Sequence, residues 1–281
     1  MKRIKLFVFI FVIGTLSACC QNYEPLELAE KIFSPKGIKN IKKYVTDEYK
    51  GRPSGKDLSK DIIAEFKVLT QNDSMAIVNM TLIDKSRKGF DCYLHFVKQN
   101  FTWKMCAFRT LALTGIIYEV IEELEKMTPE QIDEKIEQAK NTKDGDYVMF
   151  KSREDFDFEL ENAKLTIAFD DTIINHFLKN QVEFERLKDS ALKQLESENT
   201  NTNRNIKLIE NFKTDYQKLL INYISVGYET GNGINFSIGG ILDNTVGYLF
   251  VKDKKDLPVI HPNRIIMLRE IGNGWYIYKT T

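Results

Sequence analysis

Phe90-Asp91-Cys92-Tyr93-Leu94-His95-Phe96-Val97-Lys98-Gln99-Asn100-Phe101-Thr102-Trp103-Lys104-Met105-Cys106-Ala107-Phe108-Arg109-Thr110-Leu111 reads as two strands around one tight turn. Cys92, Leu94 and Phe96 alternate with Asp91, Tyr93 and His95, the period of two that a strand with unlike faces requires. A two-residue Gln99-Asn100 turn puts Cys92, Leu94 and Phe96 on one face with Ala107, Met105 and Trp103, and turns Cys106 to the other face. A three-residue Lys98-Gln99-Asn100 loop sets Cys92 opposite Cys106 instead, and a cross-strand disulfide becomes conceivable. The first register separates apolar from polar side chains more cleanly and is the one expected. Upstream, Met75 to Ile83 lines up Ala76, Val78, Met80 and Leu82, while Ile62 to Leu69 alternates Glu65 and Lys67 against Phe66 and Val68. Asn72-Asp73 and Lys85 to Gly89 are turn-forming, so the four strands predict an antiparallel meander.

Before the meander, Leu26, Ala29, Ile32 and Phe33 mark a short helix, and Ile38, Ile41 and Val45 mark a second one after Pro35-Lys36-Gly37. After it, Ile117, Val120, Ile121 and Leu124 recur at helical spacing. Thr128-Pro129-Glu130-Gln131 then combines an N-cap, a proline in the first turn and a capping-box glutamine ahead of Ile132, Ile136 and Ala139. Asn141 to Asp146 is a polar break. Beyond it come an acidic-aromatic segment at Glu154 to Glu159, expected to pack its phenylalanines inward, and a long helix capped by Asp171. Ile173, Ile174, Phe177, Phe184, Leu187, Ala191 and Leu195 form the stripe of that helix. Glu196 to Arg204 reads as a solvated loop, and Ile209, Phe212, Tyr216 and Leu219 as a further helix. Strands follow at Tyr223 to Tyr228, Ile234 to Ile238, Val246 to Val251, Arg264 to Ile271 and Trp275 to Tyr278, with Gly231-Asn232-Gly233 and Gly239-Gly240 read as turns. Gly272-Asn273-Gly274-Trp275 carries a type I′ hairpin signal.

The expected fold class is therefore α+β, with two antiparallel-sheet domains that each carry packed helices. Two helices followed by a curved four-stranded sheet that closes on Phe101-Thr102-Trp103-Lys104 resembles the NTF2-like, cystatin-like domains over residues 26–113. That resemblance implies a cone-shaped domain with a pocket, here around Tyr93, His95 and Trp103. Residues 114–141 read as a helical connector and 146–281 as an α+β domain with long helices and C-terminal antiparallel strands. Asp171-Thr172-Ile173-Ile174-Asn175-His176-Phe177, with Phe184-Glu185-Arg186-Leu187 and the aromatic ending, resembles uncharacterised bacterial lipoproteins and implies no activity.

The front of the chain points the same way. Lys2, Arg3 and Lys5 precede an apolar run from Leu6 to Leu16, the layout of a secretory signal peptide, and the run is shorter than the roughly 20 residues of a membrane span. Leu16-Ser17-Ala18-Cys19 resembles the bacterial lipoprotein signal: an aliphatic residue, two small residues and the cysteine that becomes acylated. By that resemblance residues 1–18 are a lipoprotein signal peptide, Cys19 carries acyl groups that enter a lipid bilayer, and 19–25 are a tether. No aspartate follows Cys19, which favours outer-membrane placement in the bacterial cell envelope, with either the periplasmic face or the cell surface exposed. Two or three acyl chains hold firmly where one holds marginally. With Cys19 so used, Cys20, Cys92 and Cys106 form an odd set, so at least one stays unpaired within the chain.

Lys plus Arg and Asp plus Glu balance at 40 each, and loss of the leader tips the balance slightly acidic. No basic stripe interleaved with aromatics occurs, so nucleic acid is not an expected partner. His95, His176 and His261 fall in unrelated elements without metal-ligand spacing, so no metal is expected; each reads as a surface, boundary or turn residue. No nucleophile elbow, phosphate loop or dinucleotide fingerprint occurs, and no cofactor is implied. Helix capping accounts for at least Asp171 of the pair Asp170-Asp171. These features favour a non-enzymatic envelope lipoprotein that binds a protein or small ligand. Two alternatives stand beside it: an immunity-like lipoprotein that neutralises a toxin in the periplasm, and an NTF2-like enzyme with His95 and Asp91, or Asp84, as its acid-base pair.

Overall fold

The computed structural model describes residues 22–141, 148–197, 206–208, 213–227 and 231–281. Cys19, Cys20, the polar break at 142–146, most of the Glu196 to Arg204 tract and the start of the helix expected at Ile209 lie outside them. The fold is α+β with two antiparallel sheets. Helix α1 (Pro25–Ile32) precedes strands β1 (Ile63–Gln71), β2 (Met75–Ile83), β3 (Gly89–Gln99) and β4 (Thr102–Thr110), which pair in sequence order as a meander. Helices α2 (Thr114–Lys126), α3 (Pro129–Lys140), α4 (Arg153–Thr166), α5 (Asp170–Lys179) and α6 (Gln181–Ser197) follow. The second sheet takes β5 (Ile206–Leu208), β6 (Tyr223–Val226) after helix α7 (Lys213–Gln217), then β7 (Ile234–Ile241), β8 (Asn244–Phe250), β9 (Ile265–Gly272) and β10 (Trp275–Thr280). Its strand order is β5-β6-β7-β8-β10-β9, so β10 lies between β8 and β9.

Alternation gives the first sheet two unlike faces. Ala76, Val78 and Met80 of β2, with Cys92, Leu94 and Phe96 of β3 and Trp103 and Met105 of β4, close over Leu28, Ala29 and Ile32 of α1. Full burial of one such side chain contributes about 1.5–3 kcal/mol, which is what fixes the register here. The opposite face is turned to the second half, where Ile77 and Tyr93 join the core built on the second sheet, as does Leu111 just past β4. That core centres on Trp275, packed against Phe177 at 4.9 Å and Phe236 at 4.9 Å between ring centres.

Four expectations are corrected. The hairpin turn is Asn100-Phe101, with φ of 49° and 61°, and Gln99 faces Thr102. Cross-strand partners therefore shift by two residues relative to a Gln99-Asn100 turn, so Phe96 faces Met105 and not Trp103, and the bulge between His95 and Phe96 then turns Phe108, in place of the expected Ala107, to the face of Leu94. Cys92 then faces Thr110; both it and Cys106 are buried free thiols, and Cys106 Sγ donates to the His95 carbonyl at 3.3 Å. The second helix expected near Ile38 is only a 3₁₀ turn at Ile41–Lys43, because the chain after it runs along β4. There Thr46 and Tyr49 donate to the carbonyls of Met105 and Cys106, which covers the sheet edge.

The long helix is two helices, α5 and α6, broken at Asn180. Asn180 donates its side chain to the His176 carbonyl, while its own carbonyl accepts from Glu183 and Phe184. The stripe survives the break, since the rings of Phe177 and Phe184 lie 4.8 Å apart. Gly239 and Gly240 lie within β7, and the turn comes later, at Leu242-Asp243 between paired Ile241 and Asn244. Gly239 is required by close approach: a Cβ there would stand 2.5 Å from Thr166 Oγ1 of α4. Most of the other expected elements form, but Ile206–Leu208 adds an unexpected strand and the helix expected to reach Leu219 ends at Gln217. Thr128 and Gln131 make both bonds of the capping box, and Phe156 of the acidic-aromatic segment is buried edge-on against Phe150.

Candidate functional site

Where the two sheets face each other, strand periodicity brings charge into the interior. On β3 the face away from α1 carries Asp91, Tyr93 and His95, all buried. On β10, Trp275 and Ile277 point into the second core, and two residues on Lys279 follows them with its side chain only 5% exposed. Asp170 opens α5 at the same level. Lys279 Nζ lies 2.8 Å from Asp170 Oδ1, and Tyr93 donates its hydroxyl to the same oxygen at 2.8 Å. The Asp170 amide donates to Asp91 Oδ2 at 2.7 Å. Asp91 Oδ1 in turn accepts from Thr81 at 2.6 Å and from Asn79 at 3.1 Å. The N-cap residue Phe169 has no capping side chain of its own, so a carboxylate from the other sheet caps α5 and meets the positive end of its dipole.

The cluster is an ion pair plus a second carboxylate. Burial pushes the Asp170 carboxyl above the usual carboxylate range, against the pull of Lys279. Burial, then the nearby Asp170 and Asp91 charges, pushes the Tyr93 phenol up. Asp170 Oδ2 is buried with no hydrogen-bond partner, an arrangement that costs free energy unless a donor reaches it. Asp170 also forms part of the wall of a cleft of about 190 Å³. Glu65 and Lys67 of β1, Thr81 of β2, Arg87 of the following turn, Thr172 of α5 and Arg269 of β9 complete much of that wall. Arg269 is paired with Asp171 at 2.7 Å. Among the described residues Lys67 and Arg87 make no ion pair, so the wall offers two unpaired cationic groups with the carboxylates of Glu65 and Asp170 in the same wall, Asp170 Oδ2 being buried without a donor.

No family model, curated protein or solved structure matches this chain. Its site is therefore read from its own geometry. Tyr93 and His95 share a face, as the expected pocket requires, but Trp103 belongs to the opposite face and packs with Leu94 and Phe96 over α1. His95 is a buried residue, 4% exposed, and not the surface or boundary residue its polar neighbours suggest. Burial, helped by the Arg109 guanidinium, pushes its imidazole down to about 4, so it is neutral at physiological pH. Asp91 and His95 stand four residues apart on one strand, about 13 Å at the usual rise, beyond direct proton transfer. Asp84 is bound up in its own turn, accepting from Ser86 and Lys88. Asp171 is exposed and does not cap the helix. Among the described residues no group of three His, Cys, Asp or Glu side chains converges on a metal, and no helix is long and apolar enough to cross a membrane.

Two residues of this site escape a motif search. Lys279 is conspicuous only once Trp275 and Ile277 are placed inward, since a lysine next in that series must be buried or must end the strand. Asp170 reads as one of two adjacent carboxylates at a helix start, and which of the two faces inward depends on the other sheet.

Proposed function

We propose that the chain is a lipid-anchored cell-envelope protein of the binding type, held to the bilayer through acylated Cys19. Its cleft beside Asp170 takes a small polar ligand with a hydrogen-bond-donating cationic head and an anionic end, the chemistry of an amino acid. The carrying observation is Asp170 Oδ2, buried without a partner at a cleft where Lys67 and Arg87 are unpaired. Binding rather than catalysis is favoured because the buried titratable groups are already committed. Asp91 holds three donors, Lys279 and Tyr93 both serve Asp170 Oδ1, and His95 is neutral. The anchor reading rests on Leu16-Ser17-Ala18-Cys19, and the outer-membrane reading on the absence of an aspartate after it. The kinship of residues 26–113 to NTF2-like, cystatin-like domains is supported by the meander order alone.

The cleft is tested by calorimetric titration with free amino acids, and with the same compounds blocked at the amine or at the carboxyl. Binding is expected for a free amino acid and lost on blocking either end. Arg87→Ala, an exposed change, should weaken it roughly tenfold, as removal of one charge-assisted bond does. A wild-type protein that gives no heat with any of them overturns the ligand assignment. The anchor is tested separately by metabolic labelling with a fatty-acid probe, where signal retained on Cys19→Ala overturns it.

A further inference from the structure

A second charged region lies far from the cleft in chemistry and close to the front of the fold. From Lys31 to Thr46 the chain carries Lys31, Lys36, Lys39, Lys42 and Lys43 and no carboxylate. The structure gathers most of this charge at one hollow of about 530 Å³, lined by Tyr23, Lys31, Lys36, Lys39, Asn40 and Lys43 among others, with no Asp or Glu in its wall. Lys36, Lys39, Lys42 and Lys43 are exposed, and among the described residues none of the four makes an ion pair. Lys31 is the partly neutralised member, 3.5 Å from Glu27 and 4.8 Å above the Tyr23 ring. Nearby Glu48 is engaged with Arg109, on the far side of the following turn.

Position decides the partner. Tyr23 packs against Tyr44 at 5.4 Å between ring centres, so the chain enters the fold at the rim of the basic hollow. Three residues separate Cys19 from Tyr23, four steps along the chain and a reach of at most about 14 Å. A body tethered that closely presents the neighbourhood of Tyr23 to the membrane, where the hollow's lysines outnumber the carboxylates Glu24, Glu27 and Glu30 of α1 and its N-cap beside them, Glu27 being paired with Lys31. We infer that this face, Lys36, Lys39 and Lys43 around the hollow with exposed Lys42 next to Lys43, docks on the anionic headgroups of the bilayer in which the chain is anchored. The inference rests on the lipid-anchor reading. Each lysine held near an anionic surface is worth about fivefold in partitioning, and the attraction fades beyond a Debye length of about 8 Å at physiological salt. Docking would hold the body in one orientation, which acyl chains alone do not.

The test uses the mature acylated protein in vesicles of phosphatidylcholine alone and of phosphatidylcholine with phosphatidylglycerol. Lysine acetylation is followed by mass spectrometry after acylation of Cys19 has been verified by mass. Lys36, Lys39, Lys42 and Lys43 are expected to react about fivefold more slowly or less on the anionic vesicles, with Lys252 and Lys255 unchanged and the protection lost in high salt. A triple Lys36→Glu, Lys39→Glu, Lys42→Glu variant, all at exposed positions, should lose the protection of Lys43. Equal reactivity on both vesicles in a chain shown to be acylated overturns the docking and leaves the anchor standing. Protection by inorganic phosphate on neutral vesicles assigns the hollow to a soluble anion and overturns it as well. Absence of acyl mass on Cys19 overturns the anchor and the docking together.

Discussion

Lys279 and Asp170 bury opposite charges a hydrogen bond apart, and such a pair is held less by its attraction than by the cost of breaking it. Lys279→Met or Asp170→Asn alone should destabilise by about 3–5 kcal/mol, because each leaves the partner buried and uncompensated. The double variant should recover a large part of that loss in a urea-unfolding cycle, and a purely additive cycle would show that the two do not couple. His95 gives a pH signature. Its folded value of about 4 lies below the ordinary 6.5, so between these values the unfolded chain binds the extra proton. Stability from this residue is complete above pH 6.5 and is lost as the pH falls towards 4, by about 3 kcal/mol in all. His95→Leu should flatten unfolding free energy over that window, which urea titrations at a series of pH values will read. The sequence makes Tyr93 and His95 neighbours on one face, but not what covers that face, since burial of a polar strand face is decided by chain more than 70 residues away.

Among the elements, α5 depends most visibly on something outside itself. With Phe169 unable to cap, Asp91→Ala should cost about 1–2 kcal/mol. Hydrogen exchange should accelerate first at the amides of Asp170 and Asp171, while the α3 amides under the Thr128 cap stay unchanged. The contrast explains what was legible. The α3 cap is local, a spacing of three residues, and can be read directly; the α5 cap is tertiary and cannot. The same distinction separates the Asn273-Gly274 turn, fixed by its own φ preferences, from Gly239, whose smallness matters only because α4 presses on it. Gly239→Ala should destabilise by about 1–3 kcal/mol through the clash with Thr166, and Thr166→Ala should relieve part of it. Asn180 shows the limit of pattern: the apolar stripe continues through the break, so periodicity alone gives one helix where there are two.

Across the whole molecule, the alternation of β2 and β3 specified the first sheet's class and the order of its meander, while the partner of its second face was set by packing that no window reveals. Ile77, Tyr93 and Leu111 lie in the core of the second half, and Arg109 reaches Pro262 and Asn263 there. The halves should therefore unfold together. Trp103 reports on the first and Trp275 on the second, so single-tryptophan variants should give coincident urea midpoints, and separated midpoints would show two independent units. The position of β10 carries a temporal consequence. A strand encoded at the end of this sequence occupies the interior of its sheet, so β8 and β9 stay without their shared neighbour until Trp275 to Thr280 have emerged. A nascent chain cannot complete that half before this strand has been made. It should stay vulnerable to proteases until that strand has docked, and become resistant in one step afterwards.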